Sequence, residues 1–374
     1  MTADWTYNTA GQATDIDYTP SGGGSTFGRS FGYDTAGRLV TDTHTDTSAN
    51  VVGVNRMGYD PRGDLVWETQ APDPTTTGGT VTSLYGYDPA DRLETWDSVQ
   101  DPAITLVVGD SSSPATEDDD LTERLEMMFA ATVTLRSDEL TAPGSGADLI
   151  VISPSVGSGV LHASYESVGL PVVNLEAAAW DEMSLSAVGG TNATEADIAI
   201  IDGTDPVAAS LVGDEQISTG SYSLASVDDD DFGTGVNLVA FDEGTDNAAA
   251  FTYEEGATLA DSGAAPARRV GIGYTTALIP NLNDTGWQLF DNAVAWALTD
   301  PTATNVDSVE YGYDKNANRT SVTDSTGTDS STYDERNRLI TGPEGDYTWT
   351  PRGTLTEIDD GSTTSLYAFD GLGR

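Results

Sequence analysis

The sequence predicts a mixed fold: a sheet of antiparallel β-hairpins built from short repeats, interrupted by one doubly wound α/β domain. Three observations predict it. An aromatic-x-Tyr-Asp phrase recurs towards both ends of the 374-residue chain. Its copies follow one another at about 16–28 residues, but between Asp88 and Asp314 the spacing jumps to 226. Inside that gap, apolar runs of strand length alternate with stretches of helical periodicity. The expected organisation is a hairpin scaffold over residues 1–100, an inserted domain over 102–300 and a resumed scaffold over 305–374.

The full phrase is aromatic, any residue, Tyr-Asp, two residues, Gly-Arg-Leu. Its clearest copy is Phe31-Gly-Tyr33-Asp34-Thr-Ala-Gly37-Arg38-Leu39, and Tyr59-Asp60-Pro-Arg-Gly63-Asp64-Leu65 and Tyr85-Gly-Tyr87-Asp88-Pro-Ala-Asp91-Arg92-Leu93 follow. Beyond the gap come Tyr311-Gly-Tyr313-Asp314-Lys-Asn-Ala317-Asn318-Arg319 and Tyr333-Asp334-Glu-Arg-Asn337-Arg338-Leu339. A degenerate Trp349-Thr-Pro-Arg-Gly353-Thr-Leu355 and a last Tyr367-Ala-Phe369-Asp370-Gly-Leu-Gly373-Arg374 complete the set, and Tyr7-Asn8-Thr-Ala-Gly11-Gln12 is a worn first copy. Each reads as a hairpin. The aromatic-x-Tyr stretch alternates as a strand does. Asp-x-x-Gly is a turn, because the carboxylate accepts backbone N–H groups and Gly or Asn tolerates a positive φ. Arg-Leu opens the return strand, so Tyr and Arg flank one turn, close enough to stack or hydrogen-bond. Ten of the fourteen arginines lie in or beside these copies, which assigns arginine mainly to structure.

The copies resemble the YD-repeat family, also called RHS repeats, over residues 1–100 and 305–374. Known members coil such hairpins into a β-sheet spiral or shell; larger ones enclose a toxin or form adhesive cell-surface modules. With so few copies, the resemblance implies a partial spiral or shell rather than a closed container. Ala317-Asn318-Arg319 and Gly353-Thr354-Leu355 depart from Gly-Arg-Leu. A chain that begins and ends inside copies reads as a fragment of a longer protein, whose other repeats would be its partners.

In the insert, 104–108 is a short apolar strand ending at Gly109-Asp110-Ser111. Residues 117–130 read as a helix with Leu121, Leu125, Met128 and Phe129 on one face. Further strands are expected at 133–135, at 148–152 before Ser153-Pro-Ser155, and at 171–175 before Glu176. Later ones fall at 197–201, 236–241, 249–253 and 269–273. A closing helix over 281–298 carries Leu282, Trp287, Leu289, Phe290, Val294 and Trp296. Short apolar strands alternating with helices indicate a doubly wound sheet, flavodoxin-like in outline, with room for a small antiparallel extension. The strand end Val-Val-Gly-Asp110, Asp148-Leu-Ile-Val-Ile-Ser-Pro-Ser155, Pro171-Val-Val-Asn-Leu-Glu176 and Gly286-Trp-Gln-Leu-Phe-Asp291-Asn-Ala-Val-Ala-Trp296 resemble the ThuA-like and glutamine-amidotransferase-like group. Amidotransferases of that group use a cysteine with histidine and glutamate. This chain has no cysteine, so that chemistry does not carry over. The ThuA-like members' link to sugar metabolism implies carbohydrate as a ligand.

Charge sets the expected environment. Sixty-one acidic residues stand against 15 basic ones, a formal net charge of -46, and Lys315 is the sole lysine. A carboxylate excess with lysine nearly absent is the composition of a halophile's surface, where molar salt shortens the screening length to about 3 Å and self-repulsion becomes tolerable. No basic stripe exists to meet nucleic acid. No 18-residue apolar run exists to span a membrane, and the first residues show no signal-peptide pattern.

In open α/β sheets ligands bind beyond the carboxyl ends of the strands. That rule places Asp110, Ser153, Ser155, Glu176 and Trp180 around one crevice, suited to a sugar. Asp110 and Glu176 would serve as acid and base at a suitable separation. The competing account of the same residues is capping and turn chemistry. His162 and His44 each lack a neighbouring histidine; His162 beside Ser155 is a weak base–nucleophile pairing. The acidic runs 117–120 and 228–231 read as solvated surface or as calcium or magnesium ligands, though neither follows an EF-hand. Residues 22–24 and 75–79 read as hairpin or linker loops. Asn192-Ala-Thr194, Asn283-Asp-Thr285 and Asn318-Arg-Thr320 are sequons that matter on export. No catalytic residue, metal or cofactor is assigned. The structural assignments are Tyr33, Asp34, Gly37, Arg38, Tyr59, Asp60, Tyr87, Asp88, Arg92, Tyr313, Asp314, Arg319, Tyr333, Asp334 and Arg338. The expected role is a noncatalytic scaffold or adhesive module at the cell surface or outside the cell, its α/β domain binding glycans or cell-surface components. The alternatives are a carbohydrate-active hydrolase and a fragment of a toxin-delivery shell.

Overall fold

The computed structural model describes residues 1–22, 26–34, 36–71, 79–129, 131–143, 146–192, 197–301 and 306–368. Parts of the loops expected at 22–24 and 75–79, the last helical position expected at Ala130, the sequon threonine Thr194 and the final copy from Phe369 to Arg374 lie outside them. The chain forms two compact units, residues 1–84 with 98–306 and residues 85–97 with 307–374.

In the first unit the repeats form strands Thr2–Tyr7 (β1), Ala13–Thr19 (β2), Phe27–Tyr33 (β3), Leu39–Thr45 (β4), Val51–Tyr59 (β5), Leu65–Ala71 (β6) and the first part of Val81–Tyr87 (β7). They pair antiparallel in chain order. One aspartate closes the turn of each Tyr-Asp copy, and Asn8 closes that of the worn first copy. Asp34 N–H donates to the Arg38 carbonyl at 3.0 Å, and Gly37 N–H to the Asp34 carbonyl at 2.9 Å. The Asp34 carboxylate accepts Arg38 N–H at 2.8 Å and Arg38 Nε at 2.7 Å. The fourth turn position is left-handed, at φ 81° for Gly37 and 100° for Gly63. The bonds are those of a four-residue turn followed by a one-residue bulge, and the ladder shifts register there, between Gly32 and Tyr33 and between Gly58 and Tyr59.

The copy at Asp34 clasps the next. Arg38 Nη1 donates to the Asp60 carbonyl at 2.5 Å, its guanidinium lies 5.1 Å from the Tyr59 ring centroid, and Tyr59 Oη donates to the Leu39 carbonyl at 2.9 Å. The stacking expected inside one copy therefore joins neighbouring copies instead. The ladder offsets adjacent turns by one hairpin, so the next tyrosine lies under the arginine. Arg319 keeps the in-copy arrangement, 5.8 Å from the Tyr311 ring centroid.

The insert in the same unit begins with Ala103–Val108 (β9), after the end of Leu93–Gln100 (β8). Helix Thr116–Phe129 (α1), Thr132–Ser137 (β10), Leu149–Ile152 (β11) and Val172–Asn174 (β12) follow. Then come Thr191–Asn192 (β13), Asp197–Ile200 (β14), Asp214–Gln216 (β15), Ala225–Asp228 (β16), Asn237–Asp242 (β17), Asn247–Tyr253 (β18), Arg269–Ile272 (β19) and helix Asp284–Leu298 (α2). The sheet order is β10-β9-β11-β12-β19-β18-β17-β14-β15. The first five are parallel and the rest extend it antiparallel. Alternate side chains feed two cores. Leu106, Leu149, Val151, Val173 and Val270 pack with both helices, while Val107, Ile150, Ile152 and Val172 pack on the other face with Tyr165, Trp180 and Phe251.

Both α-helices thus serve one face, and the second face is covered by loops and the 3-10 turns Ala163–Tyr165 and Ala177–Ala179. The composition of the crossover from 153 to 171 explains this departure from helices on both faces. Ser, Pro and Gly crowd it, and such residues favour turns over helix propagation. The helix-side core also takes in repeat residues Val66, Trp67 and Leu84. Trp67 Nε1 donates to Asn292 Oδ1 at 2.7 Å, and Asn292 Nδ2 donates to the Val207 and Ala209 carbonyls at 3.0 and 2.8 Å. Tyr59 N–H donates to Ser210 Oγ at 3.0 Å.

In the second unit, the rest of β7 and β8 form the hairpin Tyr87-Asp88 to Arg92. Strand β8 neighbours Val306–Tyr313 (β20), which leads to Arg319–Asp324 (β21) and Gly327–Ser330 (β22). A five-stranded sheet follows in chain order from Thr332–Tyr333 (β23), Leu339–Gly342 (β24), Gly345–Trp349 (β25), Leu355–Asp359 (β26) and Thr364–Leu366 (β27). The clasp resumes across the insert. Arg92 Nη1 donates to the Asp314 carbonyl at 3.0 Å, Arg92 lies 4.6 Å from the Tyr313 ring centroid, and Tyr313 Oη donates to the Leu93 carbonyl at 2.8 Å. Arg338 repeats it with the Thr350 carbonyl and Trp349, and Tyr333 Oη donates to the Arg319 carbonyl.

Candidate functional site

The carboxyl ends of the parallel strands are where this topology puts a ligand, and the structure divides the five expected residues there. At the ends of β9 and β11 the backbone is drawn together. Ser153 Oγ and Ser155 Oγ both donate to Asp118 Oδ1, at 2.5 and 2.8 Å, and Gly109 N–H donates to Ser155 Oγ at 3.1 Å. A Cβ at Gly109 would stand 2.6 Å from the Ser155 carbonyl oxygen, so no space for a ligand separates these strand ends. Asp118 is 1% exposed and also accepts Ala115 N–H at 2.9 Å; this member of the 117–120 run is not solvated surface.

Asp110 is exposed and holds its own turn, accepting Ser112 N–H and Oγ at 2.9 and 2.7 Å, and those bonds lower its pKa, the hydroxyl's most. Trp180 is fully buried, edge-on to Phe251 at 4.9 Å, with Nε1 donating to the Asn174 carbonyl at 3.3 Å. Its ring is committed to the core.

Glu176 does line a crevice. Just past β12, it caps the turn Ala177–Ala179 by accepting Ala178 N–H at 3.1 Å. Burial pushes its carboxyl up to about 7. The crevice, of about 440 Å³, is completed by Pro154, Thr191, Asn192, Thr275 and Thr276. Asp110 does not line it, and Glu176 is the sole carboxylate among its described lining residues. The threonines follow β19, the fifth parallel strand, so the strand-end rule applied to 269–273 points to Thr275 and Thr276 as well.

A second and larger cavity, about 510 Å³, lies in the first unit between repeat strands and the helices of the insert. It is lined by Arg56, Trp67, Arg124, Met128, Gln288 and Asp291, among others. Sequence reading missed it because its walls come from two different patterns, repeat strands and insert helices, that lie far apart in the chain. The one signal was Asp291, a carboxylate inside an apolar helical run.

The remaining motifs are accounted for locally. His162 Nδ1 accepts Ser164 N–H at 3.1 Å, and His44 Nε2 lies 3.4 Å from Asp42. Asn283 caps α2 by accepting Gly286 N–H at 3.0 Å, and Asn318 Nδ2 donates to Asp314 at 2.9 Å. Asp228, Asp229 and Asp230 place carboxylate oxygens within 4.8 Å of one another, all exposed, and Asp228 already accepts Asp230 N–H. Among the described residues no helix is long and apolar enough to cross a membrane.

No family model matches the chain, and no curated protein matches it. Among solved structures, 29 chains match. One, described as "Crystal Structure of TcdB2-TccC3-Cdc42", is 12% identical, with a TM-score of 0.18, over 98% of this chain and 16% of that one. The likeness is weak, and this chain spans about a sixth of the matched one.

Proposed function

We propose that the chain is a noncatalytic scaffold of the YD-repeat (RHS-repeat) kind from a halophile, acting at the cell surface or outside the cell. On this reading residues 1–100 and 305–374 are the repeat scaffold. Residues 102–300 are a flavodoxin-like, ThuA-like domain that binds carbohydrate at its strand ends. The parallel strand order, second-first-third-fourth-fifth, supports the flavodoxin-like assignment, and the inter-repeat clasps support the scaffold. The observation that carries the binding reading is the crevice at Glu176. Threonine hydroxyls, an asparagine amide and one carboxyl that exchanges its proton near neutrality suit a neutral polyhydroxylated ligand. Glycoside hydrolysis uses two carboxyl groups about 5–10 Å apart, and the described lining residues supply one. Cysteine is absent, which removes amidotransfer as well.

The test is a glycan panel probed with the full chain in molar KCl, beside Glu176→Ala. The expected result is binding of a subset of neutral glycans, weakened about tenfold by the substitution, which is the worth of one good hydrogen bond. No binding anywhere on a broad panel would sink the carbohydrate reading, and turnover of a bound glycan would sink the noncatalytic one.

A further inference from the structure

The larger cavity differs in chemistry from the strand-end crevice. Of the six charged side chains among its described lining residues, Arg56, Arg124 and Asp291 interact with one another. Arg124 on α1 and Asp291 on α2 form a two-pronged ion pair, with Nε to Oδ1 at 2.9 Å and Nη2 on Oδ2. The Arg124 guanidinium lies 5.3 Å from the Trp287 ring centroid. Asp291 is 2% exposed, so this pair is internally balanced. Arg56, from the middle of β5, adds a second guanidinium within electrostatic reach of both. Among the described residues nothing hydrogen-bonds or ion-pairs with it, and its Nε is buried without an acceptor.

That sets Arg56 apart from most of the repeat arginines. Carboxylates outnumber cations fourfold, and Arg29, Arg38, Arg62, Arg92 and Arg338 in the repeats each hold an aspartate. Arg56 is half-buried with its Nε sealed from water, and a partly desolvated guanidinium with an unfilled donor is destabilising unless something supplies the anion. Beside it the cavity wall is apolar, formed by Met57, Trp67, Met128 and Leu211.

The geometry points to this cavity as a binding site for a small organic monocarboxylate with an apolar body. The forked guanidinium of Arg56 takes the carboxylate, and the indole of Trp67 and its apolar neighbours take the body. Only within the interacting group Arg56–Arg124–Asp291 is one negative charge missing. Glu215 and Asp284, elsewhere in the lining, and Asp34, already held by Arg38, limit the ligand to that single charge.

The experiment uses the full chain at constant ionic strength in sulfate. Benzoate is titrated by calorimetry and by thermal unfolding, with benzamide as the uncharged isostere and chloride as the inorganic competitor. The expected result is saturable benzoate binding below about 10 mM, at least about tenfold weaker binding of benzamide, and loss of the benzoate response in Arg56→Gln. Arg56→Met should melt higher than the unliganded parent, because it removes an unpaired charge. Equal responses to benzoate and benzamide, a chloride response as large as benzoate's, or no saturable response each overturn the proposal. So does Arg56→Met melting lower, which would make Arg56 a structural counter-charge. None of these readouts depends on the Glu176 crevice.

Discussion

Asp34, Asp60, Asp88, Asp314 and Asp334 each do several jobs at one hairpin corner: they accept backbone N–H groups, and all but Asp314 also hold an arginine side chain. At Asp334 these bonds, led by the Arg338 side chain, hold the carboxyl down to about 2. Glu176 stands at the opposite extreme, pushed up to about 7 by burial. Between its ordinary value of 4.5 and about 7, folded Glu176 keeps a proton that the unfolded chain has released. Its contribution to stability is therefore present at low pH and is lost as pH climbs through that window. Denaturation of the parent and of Glu176→Gln across this window should show the parent losing stability relative to the variant. Equal slopes would mean the carboxyl is not raised. The tyrosine–arginine pairing was legible as a pair of residue types, yet its partners were not. Identical copies look alike in sequence, so spacing cannot tell whether Arg38 meets Tyr33 or Tyr59; the hairpin offset decides.

At the scale of elements, β5 and β6 couple the repeats to the insert. Gly58 pairs with Trp67 across the ladder, and a Cβ at Gly58 would collide with the Trp67 indole. Gly32, Gly86 and Gly312 stand the same way against Thr41, Thr95 and Ser321, so in these four copies the position between the aromatic and Tyr-Asp, read from sequence as any residue, is a spatial requirement. Gly58→Ala should displace the indole and leave Asn292 Oδ1 without its donor, costing about 1–3 kcal/mol. Chemical unfolding measures it, and a loss no larger than that of Gly169→Ala, whose added Cβ meets nothing within 4 Å and whose backbone is not left-handed, would count against this coupling. The strands and helices of the insert were readable from apolar runs and periodicity, as β11 and α2 illustrate. The face on which α2 lies was not, because that depends on the crossover from 153 to 171 failing to make a helix. The crevice was half legible. Glu176 followed from the strand-end rule, but the closure of the β9–β11 ends by Ser153, Ser155 and Asp118 depends on an aspartate a helix away.

For the whole molecule, the charge of -46 governs the conditions under which any of this persists. Raising salt from about 0.1 to 1 M shortens the screening length from about 10 to 3 Å, so the melting temperature should rise steeply with KCl. A flat profile would remove the ground for a halophilic origin. The clasp between Arg92 and Asp314 has a further consequence, for the order of events in folding. It joins residues 222 apart, where the clasp between Arg38 and Asp60 joins residues 22 apart. With the insert unfolded, closing the longer loop costs about 2 kcal/mol more chain entropy. The hairpins before the insert can zip one after another, but β20 can find β8 readily only once the α/β domain has condensed between them. The insert thus acts as a timer for this one pairing: docking of β20 on β8 should follow, never precede, burial of Trp67, while the local hairpins beyond β20 are free to zip on their own.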